Sequence, residues 1–233
     1  MHQKFVLITF AVALGTAALY LLFARPPRST AGAQAIAWLR DAGSRPEPVM
    51  KEGGRCGNAP FIFPTDGVVG YLWDDSFQPG HRHQGIDIFS GTGVGVTRVV
   101  AAYPGYVTRK NYWKAALITR IPQDPLHPGR QIWVYYTHMA DRYGNSLIST
   151  DFPPGTSEKY VEAGTLLGYQ GNYSGDPNKP VGVHLHLSVV QGTGAGGFKN
   201  ELDINNTYDP SPYFGLPLNA RTGPDEIPPC NGL

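Results

Sequence analysis

The sequence predicts an all-β body with long loops, preceded by one N-terminal transmembrane or signal helix. Glycine (29) and proline (21) make up about a fifth of the 233 residues, roughly twice the usual share. Aromatics at 12% and hydrophobics at 41% suffice for a core, while charged residues reach only 16%. That balance argues against a coiled coil, a long-helix bundle or a charge-rich disordered tail. From Pro60 onward, short apolar runs alternate with Gly, Pro, Asn and Asp, the pattern of strands and turns.

The elements follow in chain order. Phe5–Ala24 is an unbroken apolar run, long enough as a helix to span roughly 30 Å, the hydrocarbon thickness of a bilayer. Lys4 precedes it, and Arg25, Pro26, Pro27 and Arg28 stop it. A cleaved signal usually has a shorter apolar region of about 7–15 residues. Residues 1–28 are therefore expected to be an uncleaved membrane anchor, with a cleaved signal as the alternative. Residues 29–59 read as a short helix, 33–42, followed by a polar linker. Strands are expected over 68–73, 85–89, 96–102, 105–109, 115–121, 131–137, 165–169 and 183–190. The intervening segments 122–130 and 139–164 read as long polar loops of the kind that wall a binding groove. The core domain is assigned to 60–215 and a Pro-rich tail to 216–233.

Net charge is +1, which argues against nucleic acid as a partner. Lys4, Arg25 and Arg28 all precede residue 29 and no acid does, so the rest carries 16 basic and 18 acidic residues, a charge of −2. Cys56 and Cys230 are the two cysteines. In an exported chain they are expected to pair and tie the ends of the domain together.

Five of the seven histidines fall in three short patterns: His81-Arg82-His83-Gln84-Gly85-Ile86-Asp87, Tyr135-Tyr136-Thr137-His138-Met139 and Val183-His184-Leu185-His186-Leu187. On a strand, His184 and His186 share one face about 6.6–7 Å apart, with Leu185, Leu187 and Val189 turned to the core. Two imidazoles on such a strand carry a desolvation cost unless a metal or a catalytic pair uses them. His83 and Asp87 would lie about 13 Å apart on a straight strand, so sharing an ion requires a bend, which Gly85 permits. A His, Asp and His set is the three-ligand number typical of a catalytic zinc that keeps one position open. His138 and one member of the His184/His186 pair then remain beside the metal. With no HExxH helix, the general base has to be histidine. Tyr136 is expected on the face of His138, His81 and His127 in exposed loops, and Gly192–Gly197, a formal GxGxxG match, in a flexible loop.

These three motifs in this order resemble the zinc site of the lysostaphin/LytM-type peptidoglycan endopeptidases. The flanking FPTDGVVGYLW, VVAAYPGYV, VEAGTLLGYQGNYSG and DPSPYF agree, and the resemblance covers residues 60–215. It departs at Val183, where proline is usual, and at Leu187-Ser188, where Phe-Glu is usual; neither is a ligand position. The resemblance implies an antiparallel β-sheet body of the duplicated hybrid motif type, with loops walling a groove. It implies Zn2+ bound by His83, Asp87 and His186, with His138 and His184 flanking the reacting water and the scissile carbonyl. The expected function is a membrane-anchored, extracytoplasmic zinc endopeptidase that hydrolyses peptide bonds in peptidoglycan, with His184 as proton acceptor. The alternatives are a non-catalytic wall-binding or amidase-activating domain and a secreted peptidase acting on proteins.

Overall fold

Strong alternation along one segment organises the molecule. Leu185, Leu187 and Val189 lie in the main core, while His186, Ser188 and Val190 face the other way. The segment is strand β9 (Leu185–Gln191) of a computed structural model that describes residues 50–76, 80–223, 227 and 230. The other strands are β1 (Val68–Val69), β2 (Ile86–Phe89), β3 (Arg98–Val100), β4 (Gly105–Thr108), β5 (Leu117–Ile121), β6 (Ile132–Thr137), β7 (Lys159–Val161), β8 (Leu166–Tyr169) and β10 (Thr207–Tyr208). A single turn of helix, α1 (Ser211–Phe214), follows β10. The apolar run at 5–24 and the helix expected at 33–42 lie outside the described residues. Among the described residues, no helix is long and apolar enough to cross a membrane.

The main sheet runs β1-β2-β9-β6-β5-β4-β7, antiparallel throughout, and β3 pairs with β8 in a second small sheet. Strand β9 pairs with β6 along its length and with β2 and β10 in succession on its other edge. Each of the eight expected runs overlaps one strand, and β9 extends one residue past its run. Strands β7 and β10 were not expected; both are two or three residues long, too short for an apolar rhythm to register.

The core lies between the main sheet and the segments packed on it. Ile132, Val134 and Tyr136 of β6 join Leu185, Leu187 and Val189 there. Phe61, Phe63, Tyr213 and Phe214 add an aromatic group in which Phe61 meets Tyr213 at 4.9 Å and Phe214 edge-on at 5.5 Å. Tyr136 departs from its expected place in the groove: it is fully buried in the core, and its hydroxyl accepts the Ala102 N–H at 2.9 Å. The packed body also extends beyond 60–215, since Met50, Leu216 and Leu218 are fully or nearly fully buried in it.

The long loops are ordered by buried polar groups. The Arg109 guanidinium donates to the carbonyl oxygens of Phe152 and Trp113 and to the Ser146 hydroxyl, pinning 139–158. Buried Asp124 accepts from Arg130 and from the Tyr213 hydroxyl, which ties 122–130 to α1. That loop consequently braces the helix instead of walling a groove.

Cys56 and Cys230 are joined by a disulfide that closes a separation of 174 residues. In the chain-entropy model such a loop stabilises the fold by about 5 kcal/mol, an upper figure. Replacing both cysteines by serine is expected to lower the melting temperature by roughly 10 °C or more. Thermal unfolding followed by circular dichroism checks this, and an unchanged midpoint would contradict it.

Candidate metal centre

The centre is assembled where β2, β9 and the segment before β2 meet. In the β2–β9 register Asp87 lies opposite His186, so both side chains leave the sheet on the same face. His83 reaches them from outside the strand. Its backbone pairs with residues 74 and 75 (His83 O with Asp74 N, His83 N with Asp75 O, both 2.8 Å), and the chain then turns at Gly85 into β2. Gly85 is needed there for a different reason from the one expected. It has no left-handed φ, but a Cβ would lie 2.2 Å from the Leu187 carbonyl oxygen and 2.9 Å from His186 Nε2. Close approach, not backbone freedom, excludes a side chain.

The three donor atoms converge. His83 Nε2 lies 3.0 Å from His186 Nδ1 and 3.2 Å from Asp87 Oδ1, and His186 Nδ1 lies 2.9 Å from Asp87 Oδ1. Zinc bonded tetrahedrally at 2.0–2.1 Å requires donors about 3.3 Å apart, so the triangle fits such an ion with little movement. The donor chemistry fits as well. His83 Nδ1–H donates to the Leu72 carbonyl oxygen at 2.9 Å, which leaves a lone pair on Nε2, the form a metal ligand requires. Buried His186 Nε2 has no hydrogen-bond partner among the described residues. With Nδ1 turned to the triangle, its lone pair faces the other two donors and the ring's proton sits on Nε2.

Electrostatics agree. Burial would raise the Asp87 pKa, but His83, His184 and His186 outweigh it and hold the carboxyl well below its usual range. Burial also opposes charge on His83, yet the adjacent Asp87 carboxylate raises its pKa overall. Burial dominates at His186 and takes it down to about 4. Among the described residues, the Asp87 carboxylate is paired with imidazoles and with no Lys or Arg.

His138 and His184 stand beside the triangle, their ring centroids 4.4 Å apart. His184 Nδ1–H donates to the Gly182 carbonyl oxygen at 2.7 Å, and His138 Nδ1–H to that of Tyr173 at 2.6 Å. Each neutral ring thus keeps its lone pair on Nε2. Burial lowers both pKa values, that of His184 to about 3, so both are neutral near pH 7. His184 also stacks on Phe89, with centroids 4.8 Å apart. His138 reaches this face because its backbone has φ 69, the left-handed region that non-glycine residues rarely adopt. That reversal breaks the alternation of β6 and explains why Tyr136 is in the core while His138 is in the site.

A cavity of about 500 Å3 opens over these residues. Its remaining walls are Tyr71, His81, Gln84, Phe89, Val181 and Gly182, not the loops 122–130 or 139–164. His81, expected as an exposed loop residue, is a half-buried part of this wall, whereas His127 is exposed as expected. Tyr71, whose ring meets His83 edge-on at 6.1 Å, and Gly171 are the local contributors that sequence reasoning missed. A Cβ on Gly171 would lie 2.1 Å from the Ala140 carbonyl oxygen and 2.5 Å from that of His138. No periodicity marks such a contact.

The site has the ligand types and donor geometry of a centre that could hold a metal ion on three protein ligands. Among the solved structures similar to this chain is the catalytic domain of the antimicrobial peptidase lysostaphin from Staphylococcus simulans, with 19% identity and a TM-score of 0.41, over 64% of this chain and 92% of that one. Another is a variant of the catalytic domain of the prophage-encoded M23 protein EnpA from Enterococcus faecalis, with 21% identity and a TM-score of 0.37, over 64% and 95%. No family model matches the sequence, and no curated protein matches it.

Proposed function

We propose that the protein is a zinc-dependent endopeptidase acting on peptidoglycan, held on the outer side of a membrane by its N-terminal segment. The observation that carries the reading is the convergence of the His83, Asp87 and His186 donor atoms within 3.2 Å, beside two histidines whose Nε2 atoms are left without a proton. Phe5–Ala24 supports the anchor, and the disulfide supports an oxidising compartment.

His83, Asp87 and His186 would hold the ion, which when bound supplies Lewis acidity toward a carbonyl oxygen and acidifies water. His184 is anchored at Nδ1 by Gly182 and presents Nε2 to accept a proton from the attacking water. His138, held in the same way by Tyr173, stands across from it. Proton uptake on Nε2 turns either ring into a hydrogen-bond donor for the developing oxyanion and then a proton source for the leaving amine.

Digestion of purified sacculi, and separately of a Gly-rich peptide, with and without chelator tests this. New amino termini should be released from sacculi, cease with chelator and return on adding zinc. Cleavage indifferent to chelator would overturn the metal role. Binding to sacculi without any cleavage would identify a non-catalytic wall-binding domain instead.

A further inference from the structure

His138 and His184 stand on different segments, yet a single loop supplies the carbonyl oxygens that fix both rings. Tyr173 accepts the His138 Nδ1–H and Gly182 accepts that of His184, so the two acceptors mark the start and the end of loop 173–182. At its base the Val181 N–H donates to the Asn172 carbonyl oxygen at 3.2 Å, and the Asn172 N–H to that of Ala140 at 2.9 Å. Val181 and Gly182 form part of the cavity wall. The tip, 174–180, is folded by its own contacts. The Ser174 hydroxyl and the Lys179 N–H donate to the Asp176 carbonyl oxygen, and the Asn178 N–H to the Asp176 carboxylate. No residue of the tip is buried, and a stretch with few buried contacts opens at low cost.

Arg142 ties this tip down. Its guanidinium donates through both Nε–H and Nη2–H to the Pro177 carbonyl oxygen, from Nε at 2.9 Å. Among the described residues, it is the side chain outside the tip that hydrogen-bonds to it. Arg142 is itself presented by a fixed turn. The Asp141 carboxylate accepts the N–H groups of Tyr143 and Asn145, both at 2.9 Å, and the Asn145 side-chain amide at 2.7 Å. Gly144 adopts φ 84 in that turn, and a Cβ there would lie 3.1 Å from the Tyr173 ring. The turn follows His138 closely in the chain, so Arg142 links the segment that carries His138 to the loop that orients both rings.

We propose that Arg142 is a positioning residue: by clamping the loop at Pro177 it holds the Tyr173 and Gly182 carbonyls where they keep the protons of His138 and His184 on Nδ1. The inference rests on the endopeptidase reading above, in which both rings need a lone pair on Nε2. A neutral imidazole has two tautomers, and the hydrogen bond made by one nitrogen decides which proton position the other has. A carbonyl that drifts away releases that choice. Hydrogen bonds from a guanidinium are stronger than neutral ones, and two N–H groups on one oxygen also fix its direction. None of His83, Asp87 and His186 lies on the loop or the turn, so the clamp acts on the two flanking histidines and not on the metal ligands.

The test uses the full chain with zinc added and reads imidazole Nδ1–H protons by nuclear magnetic resonance with labelled histidine. Wild type should show slowly exchanging signals from His83, His138 and His184, assigned by single replacements. His83 is the internal control, because its acceptor is the Leu72 carbonyl oxygen on another segment. In Arg142→Ala the His138 and His184 protons should exchange about tenfold faster or more, while the His83 proton and the zinc content stay as in wild type. Digestion of sacculi by that variant should lose about tenfold in kcat with KM unchanged. Arg142→Lys, which keeps one charged donor, should recover most of both effects. Signals from His138 and His184 that do not respond to Arg142→Ala overturn the proposal, as does an equal loss of the His83 signal. Faster exchange at both rings with kcat unchanged overturns it too. The proton signals need no cleavage, so the expected exchange pattern in a chain that cuts nothing supports the clamp while refuting the endopeptidase.

Discussion

Replacement of His186 by alanine is expected to abolish metal retention and peptidoglycan cleavage together, the latter by about a thousandfold or more. The triangle offers one donor atom from each of three residues, and catalytic zinc sites typically use three protein ligands. His83 and Asp87 alone cannot close it. Stabilisation of transition-state charge by several kcal/mol goes with the ion, and each 1.4 kcal/mol is a factor of ten in rate. Metal content after dialysis, thermal unfolding and sacculus digestion are measured on the same preparation. A variant that keeps both zinc and activity would remove His186 from the centre. Loss of both with an unchanged far-ultraviolet spectrum is the expected outcome.

Gly171→Ala is expected to separate the two halves of the site. Gly171 bridges the His184 backbone, accepting its N–H at 3.2 Å, and a Cβ there would press on the carbonyl oxygens of His138 and Ala140. Backbone has to move, and the segments at hand carry His138 and His184. The atoms nearest that Cβ belong to Ala140 and His138, not to the three ligand residues. A displacement of about 1 Å in catalytic groups can cost roughly a hundredfold. The variant should therefore bind zinc like wild type while kcat falls about a hundredfold. Equal loss of zinc and of rate would show instead that Gly171 supports the whole site.

How much of this was legible in the sequence depends on which physical signal each residue leaves. Leu185, Leu187 and Val189 alternate with His184 and His186, and period two is visible without coordinates. The convergence of His83 with Asp87 was legible only as a requirement for a bend, and the close packing of Gly85 on Leu187 was not. The residues around His138 mark it as a candidate, but its reversed backbone leaves no trace in composition, so period two alone puts Tyr136 on the wrong face. Strands β7 and β10 escaped because their partners create them: Lys159 and Tyr160 are exposed and belong to a sheet only through β4. The loops at 122–130 and 139–164 were recognised as long, but the buried Arg109 and Asp124 that lock them form contacts across 43 and 89 residues.

The two imidazoles of the triangle stand 103 residues apart in the chain, and Asp87 and His186 stand 99 apart. Donors so distant meet only after β2 has docked on β9, a pairing that costs loop-closure entropy before it is rewarded. Local collapse of the hairpins β4–β5 and β5–β6 creates no such triangle. Metal capture at this triangle would thereby be a late event that reports completed topology. Free zinc above its dissociation constant would deepen the native basin by about 1.4 kcal/mol per decade of concentration and slow unfolding more than it speeds folding.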